Sequence, residues 1–284
     1  MKNSTRLLIL GHGSIGKKHA ANAKKLKAEV VTVDPSPEAG ADFNSLADAF
    51  GKKAFSHAVI ATPAQLHLSG LKEILKRGTR RVLLEKPLCL PEESARAEAV
   101  QDALGPDQKI VMGFNWRFNS AVQELKRALD SGSLGRVQMA QLYAREWLPK
   151  YGGRVLLESG SHILDTARYL LGDIRVAASR LTAYGELGDS DESASLLLTG
   201  PEKSDIYVHV NFVNKDDYDY RILVQGSKST RECRPDRTEP MHLREMEAFL
   251  SDDDENLATF DDGLSNLKIL SEASKSLTLI GEKA

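Results

Sequence analysis

A glycine-rich loop near the start constrains this chain more than any other feature. Gly11, Gly13 and Gly16 are spaced as G-x-G-x-x-G. They follow a compact apolar run, Arg6–Leu10, and open a segment, Lys17–Leu26, rich in Ala, Lys and Leu. Strand, tight glycine turn and helix in that order begin a βαβ unit. The alternation then repeats. Glu29–Asp34, His57–Ala61, Arg81–Leu84 and Lys109–Phe114 read as strands, and Asn44–Phe50, Gln65–Arg77 and Pro91–Leu104 as helices. Within Gln65–Arg77, Leu68, Leu71, Ile74 and Leu75 recur at helical spacing. The pattern predicts an α/β fold, a Rossmann-type doubly wound parallel sheet over residues 1–118.

The character changes beyond that point. Asn119–Ser131 reads as a helix, followed by longer segments of mixed polarity: Val137–Trp147, Arg175–Tyr184, Ser193–Leu198, Asp205–Val213 and Tyr220–Val224. Such segments suit a mostly antiparallel, open sheet with one wet face. Helices are expected at Ser161–Leu171, His242–Leu250 and Asp262–Ile280. Residues 119–284 are thus expected to form an α+β domain, its final helix free to pack back on the first domain.

Composition excludes several functions. A length of 284 residues suits one large or two ordinary domains. Lys+Arg is 38 and Asp+Glu is 40, so the chain lacks the basic balance of a nucleic-acid-binding domain. No apolar run approaches the ~20 residues of a membrane span, and Leu7–Leu10 is too short for a secretory core. The expectation is a cytoplasmic protein with neither a membrane nor a nucleic-acid partner. Cys89 and Cys233 stand alone, without C-x-x-C spacing or a histidine cluster, so no metal site is expected. Lys17, Lys18 and His19, with Lys24, Lys25 and Lys27, read as the wet face of the first helix, and Asp252–Glu255 as a solvated loop.

The loop carries a specific chemistry. The first glycine permits a tight turn, the second lets backbone approach a pyrophosphate, and the third lets helix pack on strand. A helix N-terminus adds free N–H groups and partial positive charge. The candidate contacts are Gly11, Gly13, Ser14, Ile15 and Gly16. The next strand ends at Asp34, 18 residues after Gly16, where a carboxylate can bond ribose hydroxyls and repel a 2′-phosphate. Pro35-Ser36-Pro37 follows rather than a basic residue, which favours NAD over NADP. A methyl-donor site can share the same loop and acid, so the loop alone does not establish redox chemistry.

Further motifs stand at the carboxyl ends of the predicted strands, where open α/β sheets bind ligands. Ala61-Thr62-Pro63-Ala64-Gln65-Leu66-His67 ends one strand and Glu85-Lys86-Pro87 another. Later come Gly113-Phe114-Asn115-Trp116-Arg117-Phe118, then Gly152-Gly153 followed by Glu158-Ser159-Gly160-Ser161-His162-Ile163-Leu164-Asp165. In this order the set resembles the Gfo/Idh/MocA oxidoreductases of the glucose–fructose oxidoreductase and inositol dehydrogenase type. The resemblance spans nearly the whole chain. It implies that Lys86 and His162 face the nicotinamide and the substrate hydroxyl, that Glu85 touches the nicotinamide ribose, and that Thr62, Pro63 and His67 line the cofactor. The family more often has Asp where this chain has Glu158, one methylene longer. The resemblance also implies a homo-oligomer, dimer or tetramer, built through the open sheet.

The residue types suit such chemistry independently. Oxidising a secondary alcohol needs a base for the hydroxyl proton, and histidine titrates near neutrality. Lysine can orient the oxygen. Glu158, four residues before His162, shares its face if helix extends that far back. Catalytic candidates are therefore Lys86, His162 and Glu158, with Arg117, Tyr151 and Asp165 as additional substrate contacts; Trp147 is a candidate pocket wall. The expected function is NAD-dependent hydride transfer at a secondary alcohol of a sugar, sugar nucleotide or cyclitol. Two alternatives stay open: a glycoside hydrolase that retains NAD and works by transient oxidation, and a non-catalytic NAD-binding protein.

Overall fold

The computed structural model describes residues 5–147, 153–212 and 218–279. It divides into two compact units, one made of residues 1–118 and 240–265 and the other of 119–239 and 266–284.

The first unit opens with β1 (Arg6–Leu10), α1 (Ser14–Lys25), β2 (Glu29–Val33), α2 (Leu46–Lys52), β3 (His57–Ile60), α3 (His67–Lys76), β4 (Arg81–Glu85), α4 (Ser94–Asp102) and β5 (Lys109–Gly113). The five strands are parallel in the order β5-β4-β3-β1-β2. This is the doubly wound arrangement expected from the alternating pattern. β4 is buried along its whole length, as a central strand covered on both faces should be. Leu7, Ile9, Val59, Leu83 and Val111 pack together in the core. Because the strands are parallel, Gly11, Asp34, Thr62 and Lys86 all follow strand ends at one edge of this sheet.

The second unit holds α5 (Ser120–Asp130), β6 (Val137–Arg145), a π-helical turn (Leu156–Gly160) running into α6 (Ser161–Leu171), β7 (Arg175–Ala183), β8 (Ser193–Thr199), β9 (Asp205–Asn211), β10 (Asp219–Gly226) and β11 (Thr230–Cys233). Their sheet runs β11-β10-β6-β9-β8-β7. Only the β6–β9 pair among these is parallel. Alternation buries Leu196, Leu198, Ile206 and Val208 on one face and leaves Ser195 and Tyr207 on the other.

The remaining elements are α7 (Met241–Ser251), β12 (Ala258–Thr259), α8 (Phe260–Ala273) and β13 (Leu277–Leu279). In the first unit, α7 contributes Met241, Met246 and Phe249 to the core, and β12 joins the edge of the sheet antiparallel to β5. In the second, β13 pairs with β7 in parallel. Three expectations need correction. The last helix ends at Ala273, not Ile280, because the chain turns into an edge strand. His19 lies on the inner stripe of α1 with Gly16, Ala20 and Ala23, not on its wet face. Asp252 and Asp254, read as a solvated run, pair with the buried Arg81 guanidinium at 3.1 and 2.8 Å.

Candidate active site

The glycine loop is shaped by contacts that exclude side chains. Gly11 has φ +92°, and a Cβ there would lie 2.6 Å from the Ala61 carbonyl oxygen. A Cβ on Gly16 would lie 1.9 Å from the Gly11 carbonyl oxygen. Gly13 is different, for a Cβ there would meet no atom within 4 Å. Two glycines thus let backbones touch, while the middle one keeps open space before the N-terminus of α1. Ser14 is exposed at that terminus; the side chain of Ile15 packs against the core, which leaves its backbone as the group offered to a ligand. Asp34 is held at the end of β2: Oδ2 accepts from the His12 N–H at 2.7 Å and Oδ1 from the Ser36 N–H at 2.9 Å. A carboxylate has lone pairs to spare beyond these two bonds. The open cradle, exposed helix N-terminus and fixed acid fit a dinucleotide's pyrophosphate and ribose.

Beside the loop, His67 is buried with both ring nitrogens against backbone carbonyls. Nε2 lies 2.8 Å from the Thr62 oxygen and Nδ1 2.8 Å from that of Pro87. Burial lowers its pKa below the ordinary value, opposed by those carbonyls. It ties the Thr62–Pro63 loop to the segment after Lys86, whose peptide bond to Pro87 is cis. Lys86 is half-buried, while Glu85 is only 7% exposed. Glu85 Oε1 sits 2.6 Å from His19 Nε2, and His19 is fully buried. Burial pushes the Glu85 carboxyl up, but the His19 hydrogen bond and charge outweigh it and hold it at about 2. The rings of His19 and His242 meet edge to face at 6.0 Å, and the Asn115 amide nitrogen lies 3.1 Å from His242 Nδ1. Burial first, then Lys18, lower His242 to about 4, so it is neutral near pH 7.

His19, Glu85 and Glu245 also bring a nitrogen and two carboxylate oxygens within 4.8 Å of one another. At ~2.0–2.2 Å from one ion, two ligands would stand roughly 3 Å apart. The 2.6 Å between His19 and Glu85 is a hydrogen-bond distance. Sequence reasoning missed this cluster. Arg117, a candidate substrate contact, is buried and pairs with Asp262 Oδ2 at 3.2 Å, which gives it a structural task.

The second unit carries the other candidates. Glu158 is exposed on the π-helical turn, His162 is half-buried in the first turn of α6, and Asp165 is fully buried one turn on. Helix does extend back to Glu158, but with the wider i→i+5 bonding of a π turn rather than α-helical spacing. Asp191, unremarked in the sequence, anchors this segment through Arg154 and Leu156. Trp147 is 50% exposed and stacks on Tyr218 at 5.2 Å, with the Arg237 guanidinium 3.5 Å from the Tyr218 ring centre. Tyr151 lies outside the described residues.

Comparison with known proteins agrees with these two halves. The oxidoreductase family model with an NAD-binding Rossmann fold matches residues 5–113, and the GFO/IDH/MocA C-terminal domain matches residues 122–232. The inositol 2-dehydrogenase of Rhizobium meliloti (strain 1021) is 30% identical over 252 residues, covering 79% of this chain and 74% of that protein. The D-apiose dehydrogenase of Rhizobium rhizogenes is 24% identical over 182 residues, 61% of this chain and 52% of its own length. Among solved structures, the WlbA dehydrogenase from Bordetella pertussis, in complex with NADH and UDP-GlcNAcA, has a TM-score of 0.84 at 21% identity over 96% of both chains. The scyllo-inositol dehydrogenase from Lactobacillus casei, with bound NAD(H) and scyllo-inositol, reaches 0.83 at 19% identity over 97% of both chains. The chain belongs to the Gfo/Idh/MocA family. It is an NAD-binding oxidoreductase of that family.

Proposed function

We propose that this protein transfers a hydride between NAD and a secondary alcohol of a cyclitol, sugar or sugar nucleotide, with a cyclitol of the inositol type the first to test. The observation that carries this reading is the half-buried Lys86 at the end of β4, backed by the buried Glu85–His19 pair. The nicotinamide, when bound, supplies the hydride acceptor. The chain's own residues do the rest. Gly11, Gly13, Gly16, Ser14 and the Ile15 backbone receive the pyrophosphate, and Asp34 the adenosine ribose. Thr62 and Pro63 line the cofactor, with His67 fixing their loop. Glu85 stays ionised at neutral pH and presents an acceptor beside Lys86.

Lys86 orients the substrate oxygen, and His162 takes its proton as the alcohol becomes a carbonyl, then returns it in the reverse direction. Glu158, exposed and one methylene longer than aspartate, receives a neighbouring substrate hydroxyl. The test is a panel of myo-inositol, scyllo-inositol, hexoses and a UDP-hexose with NAD, followed by NADH absorbance. Turnover that is lost in both Lys86→Met and His162→Asn, with NAD still bound, is expected. Turnover within a few-fold of wild type in either variant refutes the assignment, and tightly retained NAD without net reduction points to transient oxidation instead.

The open face of the second sheet is proposed as the contact between copies of the chain. Gln141, Tyr143, Ser195, Leu197, Tyr207 and His209 line a shallow depression of about 520 Å³ there. Tyr207 is 46% exposed, and Tyr143 stacks on His209 at 5.6 Å. A face that carries Tyr143, Tyr207 and Leu197, with Arg180 among its lining residues, suits a self-complementary contact. Sedimentation should show a dimer or tetramer that Tyr207→Glu dissociates.

A further inference from the structure

We infer that Asp191 is a positioning residue for the reaction, aiming the π-helical turn that carries Glu158 and leads to His162. Asp191 stands two residues before β8 and is fully buried. Its Oδ1 accepts from Arg154 Nε at 2.6 Å, its Oδ2 from the Leu156 N–H at 2.9 Å, and its carbonyl oxygen from the Val155 N–H at 2.9 Å. One residue therefore holds all three that open the turn. The Val155 and Leu156 N–H groups stand at the start of the helix with no partner further back in it, so Asp191 caps the first with its carbonyl oxygen and the second with its carboxylate.

Asp191 is itself fixed by the sheet. The next residue, Glu192, donates to the Thr182 carbonyl of β7 at 2.9 Å and accepts from Phe212, just past β9, at 2.8 Å. The far end of the turn is held as well. Ser161 Oγ donates to the Glu158 carbonyl at 3.0 Å, and the buried Asn266 amide donates to the Ser161 carbonyl at 2.9 Å. π turns are rare and concentrate at functional sites, and this one is clamped at both ends. A rigid turn at these positions presents Glu158 to solvent and His162 at a fixed angle. Small misplacements of reacting groups cost rate steeply, on the order of 10²-fold for 1 Å.

The inference rests on the reading of His162 as the proton acceptor, and His162→Asn tests that reading alone. The experiment for Asp191 is Asp191→Asn, which keeps size but sets an NH2 group against one of its two donors. With myo-inositol and NAD, kcat is expected to fall about ten- to a hundred-fold and the pH profile of kcat/KM to shift. The NAD-induced rise in melting temperature should stay at its wild-type value. A kcat, KM and pH profile within two-fold of wild type would overturn the inference. If the variant does not fold, Arg154→Gln, which removes the half-exposed partner, is judged by the same criteria. If wild type does not turn over myo-inositol, deuterium exchange of amides 155–162 decides: at least ten-fold faster exchange in Asp191→Asn supports the anchoring, and unchanged exchange overturns it.

Discussion

Replacing His19 with leucine tests whether the polar cluster beside Lys86 is built around one ionised carboxylate. His19 Nε2 and Glu85 Oε1 are 2.6 Å apart, with His19 fully buried. Leucine fills much of the space and donates nothing. In the wild type the Glu85 carboxyl falls from 4.5 to about 2, which at 1.36 kcal/mol per pH unit is ~3 kcal/mol. A lowered carboxylate contributes stability that is fully present above its unfolded value and is lost as pH falls from 4.5 toward 2. In His19→Leu both His19 contributions are gone and burial, which raises the carboxyl, is opposed only by the charges of His242 and Lys86, so the carboxyl rises and the stability it contributes at neutral pH is lost. The loss at pH 7 is expected at roughly 3–5 kcal/mol, the cost of stranding one member of a buried pair. Urea denaturation at pH 7 and pH 4 reads both terms, and the difference between variant and wild type should shrink by ~2 kcal/mol at the lower pH. His242 titrates in both proteins and largely cancels. His19→Gln, which keeps a donor, should recover most of the loss. A difference that is the same at both pH values refutes the reasoning, since a simple packing defect does not titrate.

Three other outcomes are expected. Gly16→Ala sets a Cβ 1.9 Å from the Gly11 carbonyl oxygen, so calorimetry should show NAD binding weakened at least ten-fold, and an unchanged Kd contradicts the cradle. Wild type should be stabilised more by NAD than by NADP at equal concentration, and Asp34→Ser should lose that preference in melting curves. His242 is held at about 4 against 6.5 in the unfolded chain, so the unfolded state binds the extra proton and stability falls as pH drops from 6.5 toward 4, by ~3 kcal/mol in full. His242→Gln should flatten that limb in urea midpoints taken at pH 7.5 and pH 5.

What the sequence makes legible is what local chemistry determines. Glycine spacing, apolar runs of strand length and the acid after β2 are short-range signals, and each corresponds to an observed element. The sites that escape reading depend on distant partners. Asp191 is one acid among several until Arg154, 37 residues away, arrives beside it. Two-residue β12 has no pattern of its own and exists because β5 offers an edge. His19 is the instructive miss. Its two lysine neighbours drew it to the solvent face, yet it lies three residues from Gly16 and four from Ala23, on the stripe that must pack inward. Helical periodicity outranks the local charge run in placing this side chain. Arg117 depends on a distant partner too, since an arginine after the fifth strand reads as a substrate contact or as a structural pair until Asp262 is found against it.

The two units solve one physical problem in the same way. On the proposed reading, a side chain that handles the substrate's hydroxyl has to stay in reach of solvent and substrate. It must also be aimed, which an exposed side chain on a loop is not. In the first unit half-buried Lys86 follows a carboxylate locked by His19, and in the second half-buried His162 follows a turn locked by Asp191 and Arg154. Each lock rests on a buried carboxylate held by a nitrogen donor, Glu85 by the buried His19 and Asp191 by the half-exposed Arg154, and losing the donor leaves a charge in the interior. On the proposed roles the held part lies behind Lys86 and His162, while Trp147, Tyr218 and Arg237 stay exposed and outside both locks. Substitutions at those exposed positions can alter which alcohol is accepted without disturbing the fold. Substitutions in the locks act on rate for every alcohol alike. A family that keeps one reaction while changing its substrate needs that separation, and here it is written in which residues are buried.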